Sequence, residues 1–295
     1  MDGSILWRRF HSIFSTLTWF LKPNLEPFFE LRAVNLSDGE KLKEYLDGLV
    51  LRFNQPAFIP ADPISIPRQF SRKEDMEIAG LLVALLAWGQ RKTILQKMQE
   101  LLQRMDRAPF DFILQHQDKD LKKLEGFVHR TFNDTDLLYM VSFLKQVYQN
   151  HGSLEKVFFP NEHPEKDAVF QGLIRFRSRF MESPDFPHRT GKHVSSPAKG
   201  SACKRLNMFL RWMVRKDEAG VDFGIWNAIK PAQLICPCDV HVERQARRLG
   251  LVSRPKADWQ LAEELTENLR QLNPADPVRY DFALFGLGIA EKLPG

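Results

Sequence analysis

Apolar positions recur along most of the chain at three- and four-residue spacing, the period of a helix with one buried face. Leu42, Tyr45, Leu46, Leu49 and Val50 follow Ser37-Asp38-Gly39-Glu40, which has the form of a helix start with its cap. Ile78, Leu81, Leu82, Leu85 and Leu86 predict a helix over about 73–88, broken at Gly89-Gln90. Ile94, Met98, Leu101 and Leu102 predict its resumption over 92–105. Further helices are expected over 109–116, 118–126, 135–151, 165–181, 203–214, 239–247, 258–272 and 277–286. No internal repeat and no hairpin of strands stands out. The class is therefore all-α, and the early and late helices are expected to form a two-lobed bundle.

Two stretches lack this period. Residues 54–70 carry Pro56, Pro60, Pro63 and Pro67 and are expected to form an extended, proline-stiffened loop. Residues 183–201 hold Pro184, Pro187, Pro197, Gly191 and Gly200 and predict a mobile or substrate-contacting loop. The chain so divides into an N-terminal extension (1–36), a helical lobe (37–182), a basic Pro/Gly loop (183–201) and a second helical lobe (202–295). Residues 5–21 of the extension are rich in Phe, Trp, Leu and Ile, but Arg8, Arg9 and His11 interrupt them. The unbroken apolar part is too short to span a membrane. No small-residue cleavage site follows, so no signal peptide is expected. An interfacial helix, a helix docked on the body and a superfluous extension remain open, with the last two preferred.

Composition narrows the class without naming a function. With 295 residues, 43% hydrophobic and 27% charged, the chain reads as a soluble globular protein with a substantial core. A net charge of +5 permits a polyanionic partner without requiring one. The placement of charge is more pointed. No acidic residue occurs over 186–216, where Arg189, Lys192, Lys199, Lys204, Arg205, Arg211, Arg215 and Lys216 lie. That stretch is either a solvated charged face or a phosphate-contacting surface. The cysteines are three, Cys203, Cys236 and Cys238, which fits a reducing, cytoplasmic setting. They do not make a four-ligand zinc or iron–sulfur set, so neither metal nor cofactor is expected.

Three short segments carry candidate chemistry. Gly200-Ser201-Ala202-Cys203-Lys204 places a lysine just inside an apolar helix after a small-residue turn. Exposed N–H groups at such a turn, beside a helix N-terminus, suit a phosphate. Lys204, desolvated and near other cations, is then a candidate nucleophile; taken alone, it is equally a surface lysine on a capped helix. Cys238-Asp239-Val240-His241-Val242, after Pro237, places Asp239 at a helix N-cap. The cap alone accounts for Asp239, and His241 is either a core histidine or part of a site. Arg244, Arg247 and Arg248 follow on that helix as a cationic rim. In Leu85-Leu86-Ala87-Trp88-Gly89-Gln90 the amide of Gln90 either projects into a neighbouring cleft or is solvated at a helix end. Asp281, among Tyr280, Phe282, Leu284 and Phe285, needs a partner if buried, for which Arg244, Arg247 and Arg248 are the candidates.

These segments resemble, in order, three motifs of the helix-hairpin-helix DNA glycosylase superfamily, whose familiar member is endonuclease III. G-S-A-C-K is similar to its G-x-G-x-K, D-V-H-V to its D-T-H-V/I, and L-L-A-W-G-Q to its L-L-S-A-Q. The resemblance is distant and covers residues 75–290. Alanine stands at the second hairpin glycine. The Lys204-to-Asp239 spacing is nearer to that of archaeal 8-oxoguanine glycosylases than to that of endonuclease III, and the C-terminal four-cysteine cluster is missing. At closer range the whole chain, including D-P-V-R-Y-D-F-A-L-F-G-L-G, resembles a bacterial family of unknown function (domain of unknown function 2400).

The superfamily resemblance implies a helix-hairpin-helix element, with Lys204 and Asp239 as catalytic residues. It also implies a stack-filling Gln90 and a hairpin at Gly200 and Ala202. Lys199, Ser201, Arg205, His241 and Arg244 join them as DNA-contacting residues. The implied function is base-excision repair on a flipped base in double-stranded DNA, with or without abasic-site lyase activity. The expected protein is a cytoplasmic, nucleoid-associated monomer with no small-molecule cofactor. Two alternatives stay open: a non-catalytic DNA-binding protein on the same scaffold, and an all-α interaction or membrane-peripheral protein.

Overall fold

The computed structural model describes residues 39–161 and 167–290. The aromatic N-terminal extension and the Ser37-Asp38 cap lie outside the described residues. The described chain is helical: α1 (Gly39–Phe53), α2 (Lys73–Leu86), α3 (Arg91–Arg104), α4 (Pro109–Gln115), α5 (Asp118–Leu121), α6 (Asp134–His151), α7 (Leu154–Phe158), α8 (Ala168–Phe180), α9 (Lys204–Val214), α10 (Val240–Arg248), α11 (Trp259–Leu272) and α12 (Asp281–Ala290). None of these helices is long and apolar enough to cross a membrane.

Helix α2 is apolar all round, so it is buried all round: every residue from Met76 to Leu86 is out of solvent. Helix α9 packs on it across Gly80, where an added Cβ would stand 2.9 Å from Met213 Cε. Beyond the charged first turn of α2, Lys73-Glu74-Asp75, Glu77 is its polar exception. Its carboxylate accepts from Tyr148 Oη, Ser153 Oγ, the Leu154 N–H and Trp226 Nε1. One buried acid thereby ties α2 to α6, α7 and the stretch before α10. On the other flank α12 lies against α1 and α10. An added Cβ at Gly286 would meet the Phe53 ring at 2.3 Å, and one at Gly288 would meet His241 Cβ at 2.7 Å. Gly286 thus lets α12 close onto the end of α1, and Gly288 onto the start of α10.

Several expectations are corrected. Residues 54–70 are not extended: three 3-10 turns, Pro56–Ala61, Pro63–Ser65 and Pro67–Gln69, bury Ile64 and Ile66. Proline fixes φ near the value such turns need and tolerates their first positions, so it starts all three. Residues 183–201, expected as a mobile or substrate-contacting loop, carry short regular turns. They fold into 3-10 turns at His188–His193 and Pro197–Lys199, with Thr190, His193 and Val194 buried. Asp136 anchors them, accepting from Thr190 Oγ1 at 2.7 Å and Arg189 at 2.8 Å and meeting His193 Nε2 at 3.2 Å. A small hairpin, β1 (Val128–His129) with β2 (Phe132–Asn133), also appears where none was expected. The helix before the Gly200 hairpin is replaced by the 3-10 turn Pro197–Lys199, so only the second helix of the expected helix-hairpin-helix is present there.

Candidate functional site

Lys204 is the first residue of α9. Gly200 (φ 75°) and Cys203 (φ 49°) both take left-handed backbone, and the chain enters the helix from that double turn. A non-glycine residue at positive φ is uncommon and persists where its surroundings hold it; the Cys203 side chain is 1% exposed. The turn is not a row of open amides. Gly200 N–H donates to Pro197 O, Ser201 N–H to Ser196 O and Cys203 N–H to Ser201 Oγ. Three of the N–H groups expected to cradle a phosphate are therefore already taken by the loop itself.

Asp239 is the N-cap of α10. Its Oδ1 accepts from the His241 and Val242 N–H groups, both at 2.9 Å. Its Oδ2 accepts from Lys204 Nζ at 3.0 Å, so two residues 35 apart in sequence meet. The Lys204 side chain is 37% exposed and that of Asp239 11%. An acid at an N-cap is where helix physics favours it, whereas a lysine at a helix N-terminus opposes the dipole. Local propensity explains Asp239 and does not explain Lys204, which the carboxylate across the cleft holds. Burial works against ionising Asp239, but Lys204 and the two amides outweigh it and hold its carboxyl below the usual carboxylate range. Lys204 shares the cleft with the cations Arg91 and Arg211, but carboxylates stand among them.

Both side chains line one cleft of about 230 Å³ with Asp62, Asp281, Arg91, Arg211, His241, Phe58 and Phe285. A cavity of similar size, about 250 Å³, lies beside α6, but its ion pair, Arg179 with Glu182, is largely exposed (47% and 61%). His241 is fixed at the site by Nδ1 against Gly288 O at 3.1 Å. Arg244 sends a guanidinium N–H to the same carbonyl at 3.1 Å. Gln90 is exposed at the N-cap of α3, between Gly89 and Arg91, which themselves line the cleft. Gly89 needs its freedom here: at φ 106° an added Cβ would strike Arg130, which lies 4.6 Å over the Trp88 ring.

The remaining assignments divide. Lys199, Gly200, Ser201 and Ala202 sit in the turn before α9, with Lys199 and Gly200 exposed and Ser201 and Ala202 half-buried. The Arg205 guanidinium is engaged within the fold, donating to the carbonyls of Leu85 and His193. The continuous basic surface over 186–216 is likewise corrected. Arg211 is buried against Asp222 and Asp281, Arg215 against Asp217, Asp222 and Asp276, and Arg189 pairs with Asp136. These acids lie outside the acid-free stretch, so its local composition could not show that they neutralise its cations. Asp281 pairs with Arg211 rather than with Arg244, Arg247 or Arg248. Asp62 was missed altogether; its one signal is that it is the sole acid in the proline-rich stretch 54–70.

Burial pushes the Asp281 carboxyl up, against the pull of Arg211, from 3.8 to about 6. A raised carboxyl contributes stability that is present below about pH 4 and lost as pH rises through about 6. The stability of Asp281→Asn relative to the wild type is therefore expected to improve by about 3 kcal/mol between about pH 4 and pH 7. Urea unfolding of both proteins across that range checks it, and a constant difference would remove the buried-acid assignment.

The family described as "Protein of unknown function (DUF2400)" matches residues 62–290, which takes in every residue of the cleft named above except Phe58. No curated protein and no solved structure matches the chain.

Proposed function

The chain belongs to the DUF2400 family of proteins of unknown function, and from the site it carries we propose that it is a DNA base-excision glycosylase. It would cleave the N-glycosidic bond of a damaged nucleotide flipped from the duplex into the cleft. The observation that carries this is the Lys204 Nζ–Asp239 Oδ2 contact of 3.0 Å on the wall of the 230 Å³ cleft.

As the glycosidic bond stretches, positive charge develops on the sugar. A fixed carboxylate beside it stabilises that charge without reorganising, the largest single effect in many active sites. Asp239 is so fixed, by two amides and one ammonium. Water then attacks C1′: the C1′–O bond forms, the C1′–N bond breaks with its electron pair passing to the base, and a water proton goes to Asp239. Attack by Lys204 is the lyase route. There Nζ first gives a proton to Asp239, then forms C1′–N as the base departs, and the product opens to an imine. An ammonium in an ion pair has no lone pair, so the water route needs one proton transfer fewer. Lys204 then acts by holding Asp239 and drawing the sugar–phosphate backbone into place.

The test is a duplex panel carrying oxidised, deaminated and alkylated bases, with base release and borohydride trapping measured side by side. Release of one class of base, with little or no trapped complex, is expected. No release from any member, together with no DNA affinity at low salt, would overturn the assignment.

A further inference from the structure

We propose that the cleft selects a positively charged purine, an N-alkylated guanine or adenine, held by the unpartnered carboxylate oxygens of Asp62 and Asp281. The inference rests on the glycosylase reading and names its substrate class. Asp62 is 7% exposed and Asp281 6% exposed, and both line the cleft. Asp62 Oδ1 accepts from the Ile64 N–H at 3.1 Å, while among the described residues its Oδ2 has no hydrogen-bond partner. Asp281 Oδ2 takes Arg211, and its Oδ1 is likewise without a partner among the described residues.

An ionised carboxylate can only accept, so a ligand settling between these oxygens must bring N–H donors or positive charge. Burial disfavours the charge on both acids, with Arg91 and Arg211 among the groups that offset it. A cationic ligand relieves that cost and a carbonyl edge adds to it. Among the described residues no three His, Cys, Asp or Glu side chains converge to hold a metal ion, so an organic cation is the better fit. Phe58 and Phe285 line the same cleft, and aromatic faces favour cations; the Phe285 ring already has the Arg91 guanidinium at 5.6 Å. Its volume of about 230 Å³ is below the range of about 300–1,000 Å³ for drug-sized ligands, which suits a single base.

The chemistry agrees with the recognition. In an N7- or N3-alkylated purine the C1′–N9 electron pair flows into the ring as the bond breaks and cancels its charge. The leaving base needs no proton, the water oxygen bonds to C1′, and the water proton passes to Asp239. A site whose buried acids hold a cation fits that leaving group, which asks for no proton, better than a neutral one.

The experiment is single-turnover base release by the full chain from duplexes carrying N7-methylguanine, 8-oxoguanine or uracil. It is paired with thermal shifts in 7-methylguanosine, which is cationic, and in guanosine, which is not. Asp62→Asn keeps the Oδ1 that caps Ile64 and removes the charge; its unliganded melting temperature checks the fold. N7-methylguanine is expected to be released at least about 10-fold faster than either other base, with Asp62→Asn removing that lead, the size of one charged hydrogen bond. Release of 8-oxoguanine or uracil at an equal or higher rate overturns the inference and leaves the glycosylase reading standing. So does an Asp62→Asn variant that releases N7-methylguanine at the wild-type rate. If no duplex is cleaved but 7-methylguanosine alone stabilises the wild type and not Asp62→Asn, the ligand class stands and the glycosylase reading falls. If neither occurs, both fall.

Discussion

Replacing Asp239 by asparagine is expected to slow base release about 10³-fold, within the range for losing a positioned acid–base group, while the protein folds and melts nearly as before. Asparagine caps a helix as well as aspartate does. The amide oxygen of the variant can keep the bonds that Asp239 Oδ1 now makes to the His241 and Val242 N–H groups. The variant loses the charge on Oδ2, which faces Lys204 at 3.0 Å and would face the sugar cation in the transition state. Asp239→Ala should be as slow and also less stable by about 1 kcal/mol, because the cap goes too. Single-turnover rates and melting curves on the three proteins separate the two roles. An asparagine variant within about threefold of the wild-type rate would mean that Asp239 is a cap and nothing more, since an acid–base group contributes far more than that.

Cap chemistry and period make the helices legible. Asn133 starts α6 through a capping box with Asp136, Gly152 ends it in left-handed backbone, and Asp258 caps α11. Those signals are local, so one sequence displays them. The irregular stretches are harder to read, because proline ends an α-helix without fixing the conformation of the chain beyond it. Whether 54–70 runs extended or winds into 3-10 turns depends on where Ile64 and Ile66 find a core. Lys204 and Asp239 are each ordinary alone and become a pair through order and resemblance. The acids around them are not legible in the same way. Asp62 gives no spacing cue, and the partner of Asp281 comes from α9, 70 residues away. Charge counted along the chain also misleads: Arg211 and Arg215 look like a basic surface in sequence and lie in the interior.

Arg211→Met is expected to cost on the order of 3–5 kcal/mol, the penalty for removing one partner from a buried ion network. Arg211 is 5% exposed and lies between Asp222 and Asp281, with its guanidinium 4.3 Å over the Phe282 ring. Methionine has a similar reach and fills the space, so the loss is electrostatic rather than a cavity. Asp222 keeps Arg215, but Asp281 loses its ion-pair partner and stays buried. The melting temperature should fall on the order of 10 °C for a chain of this size. If the uncompensated carboxylate is the cause, the double variant Arg211→Met with Asp281→Asn should recover a large part of that loss, a coupling far outside additivity. Lowering the pH to about 5 should also narrow the gap to the wild type, because Asp281 without Arg211 takes up its proton more readily still. A double variant as unstable as the sum of its parts would instead place the cost in lost packing against Phe282. The network then would not be what holds Asp281 charged at the floor of the cleft, and the cation-selective site would lose one of its two acids.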